Sequence, residues 1–296
     1  MALLSDEIVA REPLGSARSV NITIYTDPGC QFGFNSQRQE LQLMWAYGHE
    51  AEIVRRMIGL SETSSSFEEI GLPVELVERT RERLAGQYGM PMGLEPLVRV
   101  PSTREACRAY IGARMHAPAG ALALLRGMFR RAQSAQELLD ERETVLGAAD
   151  DAGLLRDTVE VWLADGDVEA ELRSDMAAAR DPLPEALALS HRLTRTDEGL
   201  RYSSSSAVFE YDGRRVVSVG FQPFAVWEIA AANVAPDVER REPPETVEEV
   251  LGWADFPLAT AEVAELRGIG IDEARAELES AGATFTPSGT DGYWVA

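Results

Sequence analysis

The sequence of 296 residues contains no lysine. All 28 of its basic residues are arginines, and 49 acidic residues outnumber them. The resulting net charge of -21 repels the phosphates of nucleic acids and the headgroups of anionic membranes. We therefore expect neither nucleic acid nor a membrane surface as a partner.

Cysteine and histidine are also scarce. Cys30 and Cys107 are the only two cysteines, which excludes a disulfide framework. The three histidines, His49, His116 and His191, stand far apart and form no ligand spacing with the cysteines. The sequence therefore predicts no metal site.

Long apolar runs are missing as well. The first 19 residues lack the basic start and apolar core of a secretory signal, and no run approaches the length of about 18 apolar residues that a membrane span needs. We therefore expect a cytoplasmic protein. The remaining composition, 45% hydrophobic and 26% charged, is typical of a globular chain long enough for two or three domains.

The N-terminal part of the chain predicts a strand, a tight turn and a helix. The β-rich run 20–25 is followed by Asp-Pro-Gly, and apolar residues then recur at helical spacing from Gln31 to Tyr47. A second strand is predicted over 51–60. Together these elements predict a βαβ unit with two parallel strands.

Residues 61–189 consist of helical segments separated by proline and glycine, which predicts an all-α insertion. Ser102 or Thr103 is a candidate cap for one helix, and Asp167 is a candidate cap for the last. The predicted helices are 73–89, 103–115, 120–133, 135–153 and 167–180.

Strand character returns at 206–220, where Asp212-Gly213 joins two β-rich runs and predicts a hairpin. A helix is predicted over 223–233, with a proline at its start. The order of strand, helix, strand, helical insertion, hairpin and helix is typical of a thioredoxin-type α/β fold.

The segment 234–250 is rich in proline and charge, which predicts a domain boundary. The residues after it predict a helix, a glycine-containing turn, a helix and a short hairpin, the winged-helix pattern. Because 258–296 carries two arginines against seven acidic residues, we expect a packing or protein-contact role for it rather than DNA binding. The predicted domains are a discontinuous thioredoxin-like core over 19–60 and 190–235, the helical insertion over 61–189, and a linker with a winged-helix-like module over 236–296.

Several separate segments resemble the DsbA/FrnE-like thioredoxin-fold family. They include YTDPGCQFGFNSQRQELQLMWAYG, RRMIGL, LRYSSSSAVFEYDGRR and GFQPFAVWEIAAANVAP, and they agree in order and spacing from about residue 20 onward. The resemblance implies thiol-disulfide oxidoreductase activity, with a small thiol or a protein thiol or disulfide as the partner. It implies no tightly bound cofactor, and the candidate co-substrate is glutathione or another low-molecular-weight thiol.

The chain departs from the family's active-site pattern at two positions. The family's Cys-x-x-Cys motif is here Cys30-Gln31-Phe32-Gly33, and Gly33 cannot resolve a mixed disulfide. The family's cis-proline is replaced by Ser205. Because a cis bond before a residue other than proline costs about 2.5 to 4 kcal/mol, we expect a trans bond and an altered loop here.

Two interpretations of Cys30 remain open. A cysteine at the start of a helix is exposed to unsatisfied N–H groups and to the helix dipole, which lower its pKa, whereas Asp27 and the acidic protein raise it. Cys30 is then either a reactive monothiol, the catalytic nucleophile, or a remnant packed under Phe32 and Phe34. Cys107 is expected to be a packed residue of a helix.

The residues before the predicted hairpin are candidates for substrate binding. The serine run either presents hydroxyl groups opposite Cys30 or is an ordinary polar loop, and Tyr25 and Asp27 are expected to border the same cleft. For His191 and Arg201 we expect surface positions, with a proton donor or an anion contact as the alternative. The candidate substrate-binding residues are Phe32, Gly33, Ser204, Ser205 and Ser206.

The sequence is compatible with more than one class of function. The first is a thiol-disulfide oxidoreductase limited to monothiol chemistry through Cys30. The alternative is a non-catalytic binding or scaffold protein that has lost the redox motif, and a further alternative is a glutathione-dependent transferase or isomerase. An enzyme predicts an accessible Cys30 of low pKa in a polar cleft, whereas a scaffold predicts a buried thiol or a filled cleft.

Overall fold

The computed structural model describes residues 19–48, 50–65 and 73–296. The strands, in chain order, are β1 (Val20–Thr26), β2 (Ala51–Met57), β3 (Thr194–Thr196), β4 (Gly199–Arg201), β5 (Ser206–Tyr211), β6 (Arg214–Ser218), β7 (Leu258–Ala259), β8 (Thr284–Ser288) and β9 (Asp291–Val295).

Helices occupy most of the chain between β2 and β3. The α-helices are α1 (Gln31–Tyr47), α2 (Val74–Tyr88), α3 (Arg104–His116), α4 (Pro118–Phe129), α5 (Arg142–Asp151), α6 (Arg156–Ala164), α7 (Gly166–Ala179), α8 (Pro184–Leu187), α9 (Phe224–Val234), α10 (Val247–Trp253), α11 (Thr260–Arg267) and α12 (Ile271–Ser280). A π-helical turn, Arg130–Ser134, follows α4, and a short 3-10 turn, Ser190–Arg192, precedes β3. No helix in the described ranges combines the length and apolar character that a membrane crossing requires.

The central sheet has four strands in the order β2-β1-β5-β6. β1 pairs with β2 in parallel and with β5 antiparallel, so the sheet is mixed. Tyr25 of β1 is paired with Ser206 of β5. This register places the turn that follows β1 beside the serine loop that precedes β5, although the two segments are far apart in the sequence.

Helix α1 lies between the sheet and the C-terminal elements. On one side, Leu43 packs with the β1 residues Ile22 and Ile24 and with Trp227 of α9. On the other side, Leu41 and other apolar residues of α1 pack against α10, α11 and α12. Both faces of this helix are therefore buried.

The C-terminal elements are also joined to α1 by polar contacts. Arg38 forms an ion pair with Glu265 of α11 at 2.7 Å. The indole N–H of Trp45 donates to the carbonyl oxygen of Glu242 at 2.7 Å. Within this segment, β7, β9 and β8 form a three-stranded sheet in that order.

Several predicted elements are confirmed. The helix over 31–47, the Asp212-Gly213 hairpin and the helix near 223–233 all form. The second strand ends at Met57 rather than at residue 60. The short β3–β4 hairpin, α6 and α10 were not predicted, because short, polar or exposed elements carry little hydrophobic periodicity.

Two local predictions in the helical region are wrong. The segment 135–153 becomes helical only from Arg142, and Gln136 in the preceding loop has a φ of 57°, outside the helical range. The last of the predicted helices is capped by Asp165, whose Oδ1 accepts the N–H of Asp167 at 2.8 Å, so Asp167 lies inside the first turn.

Candidate functional site

The turn after β1 positions Cys30 at the start of α1. The N–H of Gly29 donates to Oδ1 of Asp27 at 2.9 Å, and the N–H of Cys30 donates to the Asp27 carbonyl at 2.9 Å. Cys30 has extended backbone angles, and its carbonyl accepts the N–H of Phe34 at 2.9 Å, the first bond of the helix. Cys30 is therefore the N-cap residue of α1.

Asp27 lies beneath this turn and is fully buried. Its Oδ2 accepts hydrogen bonds from the Leu60 N–H at 2.7 Å, from the Thr103 hydroxyl at 3.0 Å and from the Cys107 thiol at 3.4 Å. Burial raises the pKa of Asp27, and these hydrogen bonds oppose that change. The contact explains why the Thr103 side chain, although it stands at the N-cap of α3, does not cap that helix.

Cys107 is packed, as expected from the sequence. It is fully buried on α3 within the largest apolar cluster. Burial, together with the nearby Asp27 carboxylate, raises the pKa of the Cys107 thiol well above its ordinary value. Both cysteines are unpaired thiols.

Cys30 lines a cleft of about 720 Å³. The cleft is bounded by the turn after β1, the chain that follows β2, one side of α2, and the β3–β4 hairpin with the serine loop. Of the predicted site residues, Cys30, Phe32 and Ser204 line it. The cleft is large enough for a small-molecule ligand.

The environment of Cys30 opposes ionisation. Burial raises the pKa of its thiol, and the Asp27 charge adds to this effect, whereas hydrogen bonding by Gly33, Ser204 and Phe32 lowers the pKa. The sum is a raised pKa, although the position at a helix N-terminus favours a lowered one. Cys30 is 7% exposed, so desolvation of the thiolate outweighs the helix dipole.

The expected trans bond before Ser205 is wrong, because the Ser204–Ser205 peptide is cis. Ser205 Oγ lies 2.5 Å from Ser36 Oγ of α1, and the N–H of Ser206 donates to the Ser203 carbonyl at 2.8 Å. Ser205 and Ser36 are both buried. The serine loop faces the N-terminal end of α1, as a cis-proline loop would.

Three of the predicted substrate-binding residues lie behind the cleft wall. Ser205 and Ser206 are fully buried, and the hydroxyl of Ser206 donates to the Ser203 carbonyl at 2.7 Å and accepts the Gly220 N–H at 2.8 Å. Gly33 is in the first turn of α1 and faces Ser204 and the interior. Gly33, Ser205 and Ser206 therefore do not line the cleft in this structure.

Two other residues expected to border the cleft lie below its surface. Asp27 is buried in the hydrogen-bonded cluster with Thr103 and Cys107. The ring of Tyr25 stacks on that of Tyr202, with centroids 4.2 Å apart. Both residues therefore support the cleft from within.

Arg201 departs most from its expected position. Surface positions were predicted for His191 and Arg201; His191 is exposed, but Arg201 is 5% exposed and lines the cleft. Its polar surroundings, TRTDEGLR, carry no periodicity that would indicate burial. The burial of this side chain is a property of the folded chain and not of its local sequence.

These features define a class of protein: a mixed thioredoxin-like α/β sheet with a cysteine at the start of the first helix and a cis peptide loop facing it. Residues 22–182 match the family model of the DSBA-like thioredoxin domain. The chain therefore belongs to the DSBA-like thioredoxin family. No curated protein matches its sequence.

Solved structures share this fold at low sequence identity. A provisionally named protein disulfide isomerase from Nitrosomonas europaea has a TM-score of 0.55 and 12% identity, covering 74% of this chain and 96% of its own. A probable DsbA oxidoreductase from Streptomyces coelicolor has a TM-score of 0.52 and 20% identity, covering 76% of this chain and 92% of its own. Both similarities extend over the thioredoxin-like fold.

The raised pKa of Cys30 leads to a testable pH profile. We expect iodoacetamide alkylation of the native protein to increase about tenfold per pH unit between about pH 7 and pH 9 without reaching a plateau, because the thiolate is the reactive form. Mass spectrometry of wild type and of Cys30→Ser and Cys107→Ser variants assigns the reacting thiol. A plateau near neutral pH that depends on Cys30 would contradict the raised pKa.

Proposed function

We propose that the protein is a monothiol oxidoreductase in which Cys30 exchanges with a low-molecular-weight disulfide. The observation that supports this proposal is that Cys30 lines an open cleft of about 720 Å³. No other cysteine of the described ranges lines the cleft, because Cys107 is buried beneath Asp27. Cys30 is therefore the one candidate nucleophile for thiol chemistry in this cleft.

The exchange reaction uses a small disulfide and a small thiol as its two co-reactants. The Cys30 thiolate attacks one sulfur of the small disulfide, a new Sγ–S bond forms, the old S–S bond breaks, and the leaving thiolate takes up a proton. A second small thiol attacks the mixed disulfide in the same way and regenerates Cys30. One disulfide is thus converted into another without an internal disulfide.

A dithiol cycle through the first turn of α1 is excluded because Gly33 carries no thiol. Cys107, the other cysteine, is fully buried. Resolution of the mixed disulfide therefore uses an external thiol. A Cβ atom at Gly33 would lie 2.8 Å from Thr26 Oγ1 and 3.0 Å from Ser204 Oγ, so this position has no room for a side chain without a local shift.

A second candidate is a protein that binds a ligand in the same cleft without a covalent step. The raised pKa and the low exposure of Cys30 favour it, because a protonated thiol is a poor nucleophile. A glutathione-dependent transferase or isomerase would use this cleft in a similar way, with Cys30 contacting the ligand's sulfur as a hydrogen-bond partner.

The proposal also includes the domain division of the chain, its cellular location and its partners. We infer that the helices α2 to α8, which lie within the predicted insertion over 61–189, form an inserted all-α domain and that 236–296 forms a winged-helix-like module with a packing or protein-contact role. A cytoplasmic location fits the chemistry, because small thiols keep cysteines reduced there. Small thiols or protein disulfides are the proposed partners, and glutathione is the first co-substrate to test.

The direct test is formation of the mixed disulfide. Native protein is incubated with glutathione disulfide at about pH 8 and analysed by intact-mass spectrometry. We expect one glutathione adduct on wild type and on Cys107→Ser, no adduct on Cys30→Ser, and removal of the adduct by added reduced glutathione.

The two candidate functions predict different results. An adduct that forms only after the protein is unfolded in urea would eliminate the exchange function and favour ligand binding without a covalent step. An adduct on Cys107 in the native protein would contradict the buried position of that thiol, and with it the assignment of Cys30 as the reacting residue.

A further inference from the structure

Arg201 is a buried guanidinium whose hydrogen-bonding capacity is largely unused within the protein. It is the last residue of β4 and lines the same cleft as Cys30. One of its N–H groups, on Nη1, donates to the Tyr202 carbonyl at 3.0 Å. In the described parts of the chain, Arg201 forms no ion pair, because no carboxylate oxygen lies within 4.0 Å of its guanidinium nitrogens. An arginine has five N–H donors, so most of them remain for another acceptor.

The nearby acidic residues do not satisfy Arg201. The two oxygens of Asp27 already accept from Gly29, Leu60, Thr103 and Cys107. Glu198, at the rim of the cleft, pairs with Arg180 at 2.9 Å. Burying a charge without a partner is unfavourable, which makes this position suited to an external anion.

The surroundings of Arg201 lower its pKa on balance. Burial and the positive charge of Arg180 lower the pKa, whereas Asp27 and Cys30 raise it. An anion placed beside Arg201 relieves the effects of burial and of Arg180. The lining of the cleft is cationic in a protein with a net charge of -21. It contains five arginines and three acidic residues, namely Arg81, Arg83, Arg180, Arg195 and Arg201 against Glu62, Asp197 and Glu198.

We propose that Arg201 binds a carboxylate group of the ligand whose sulfur lies at Cys30. This inference rests on the proposed function. The substrate class that it specifies for that function is a small thiol or disulfide that carries a carboxylate. A guanidinium binds a carboxylate through two parallel N–H···O bonds, which fixes the orientation of the ligand as well as its charge. Neutral and cationic thiols lack this contact.

The test compares two alkylating reagents of nearly equal size, iodoacetate and iodoacetamide, at about pH 9. Their rate ratio at Cys30 cancels differences in thiol reactivity and isolates the effect of the carboxylate. Because a hydrogen bond to a charged group changes an affinity by about tenfold, we expect Arg201→Gln to lower the iodoacetate to iodoacetamide ratio about tenfold.

A matched control removes one positive charge elsewhere. Arg79 is an exposed residue of α2 that does not line the cleft, and we expect Arg79→Gln to change the ratio less than about twofold because solvent screens exposed charges. Equal decreases in both variants would mean that only the overall charge matters. An unchanged ratio in Arg201→Gln would overturn the carboxylate site.

A second measurement is independent of the reactivity of Cys30. S-methylglutathione carries two carboxylates but cannot exchange, and we expect it to raise the melting temperature of wild type and Arg79→Gln but not of Arg201→Gln. If this dependence is found while glutathione disulfide forms no adduct, the exchange function fails and the carboxylate site stands. If the adduct forms but neither measurement depends on Arg201, the carboxylate site alone fails.

Discussion

Glu262→Gln is expected to lower the free energy of unfolding by about 3 kcal/mol, because it leaves a buried arginine without its counter-charge. Glu262 is fully buried, and its two oxygens accept from Arg126 Nη1 at 2.9 Å and Nη2 at 2.8 Å. Arg126 also donates to Gln37 of α1 at 2.9 Å. This one pair thus connects α4, α1 and α11, and urea denaturation of the whole chain measures its loss.

Two further variants separate the charge effect from a general loss of packing. Glu279 is an exposed glutamate of α12, and Glu279→Gln is expected to change the stability by less than about 0.5 kcal/mol. Adding Arg126→Met to Glu262→Gln removes the unpaired charge, so we expect the double variant to recover part of the loss. A double variant less stable than either single variant would show that packing around Arg126, rather than its charge, dominates.

Gly33→Cys, the change that would restore the Cys-x-x-Cys pattern, is expected to destabilise the protein by about 1 to 3 kcal/mol through overpacking. A Cβ atom at this position would lie 2.8 Å from Thr26 Oγ1, 3.0 Å from Ser204 Oγ and 3.2 Å from Phe129 Cζ. Gly33→Ala adds the same Cβ atom without a thiol and is expected to show most of the effect. Urea denaturation compares the variants.

The matched control is Gly86→Ala in α2. A Cβ atom there meets no atom within 4 Å, so the better helix propensity of alanine should stabilise the protein by about 0.5 to 1 kcal/mol. The hydroxyl of Thr26 has no hydrogen-bond partner in the described structure, so adding Thr26→Ala to Gly33→Ala makes room without losing a hydrogen bond. Stabilisation by Gly33→Ala alone would contradict the close contacts at Gly33.

Local signals were sufficient to predict the elements nearest Cys30. The β-rich run, the Asp-Pro-Gly turn and the helical spacing after Cys30 predict β1, the turn and α1, and the Asp212-Gly213 pair predicts the hairpin of β5 and β6. Each signal depends on neighbouring residues of one segment. The placement of Cys30 at a helix start was therefore predictable from the sequence.

The polar side of α1 was not predictable in the same way. Gln37, Arg38 and Glu40 are polar residues of α1, and all three are buried. Arg38 pairs with Glu265, and Glu40 pairs with Arg55 of β2 at 2.8 Å. Their partners come from distant segments, so no local pattern reveals that this surface is covered.

The sequence by itself determined the strands of the central sheet, the main helices, the lone cysteine at the start of α1 and the absence of a second cysteine in its motif, because these features depend on residue identity and short-range spacing. The tertiary structure alone decided the chemistry around that cysteine. Burial beside Asp27 raises the pKa of Cys30, the pairing of Tyr25 with Ser206 brings a cis serine loop to it, and Arg201 at the end of β4 is buried where it lines the cleft. Desolvation and long-range pairing produce these effects, and both depend on which distant segments meet in the folded chain.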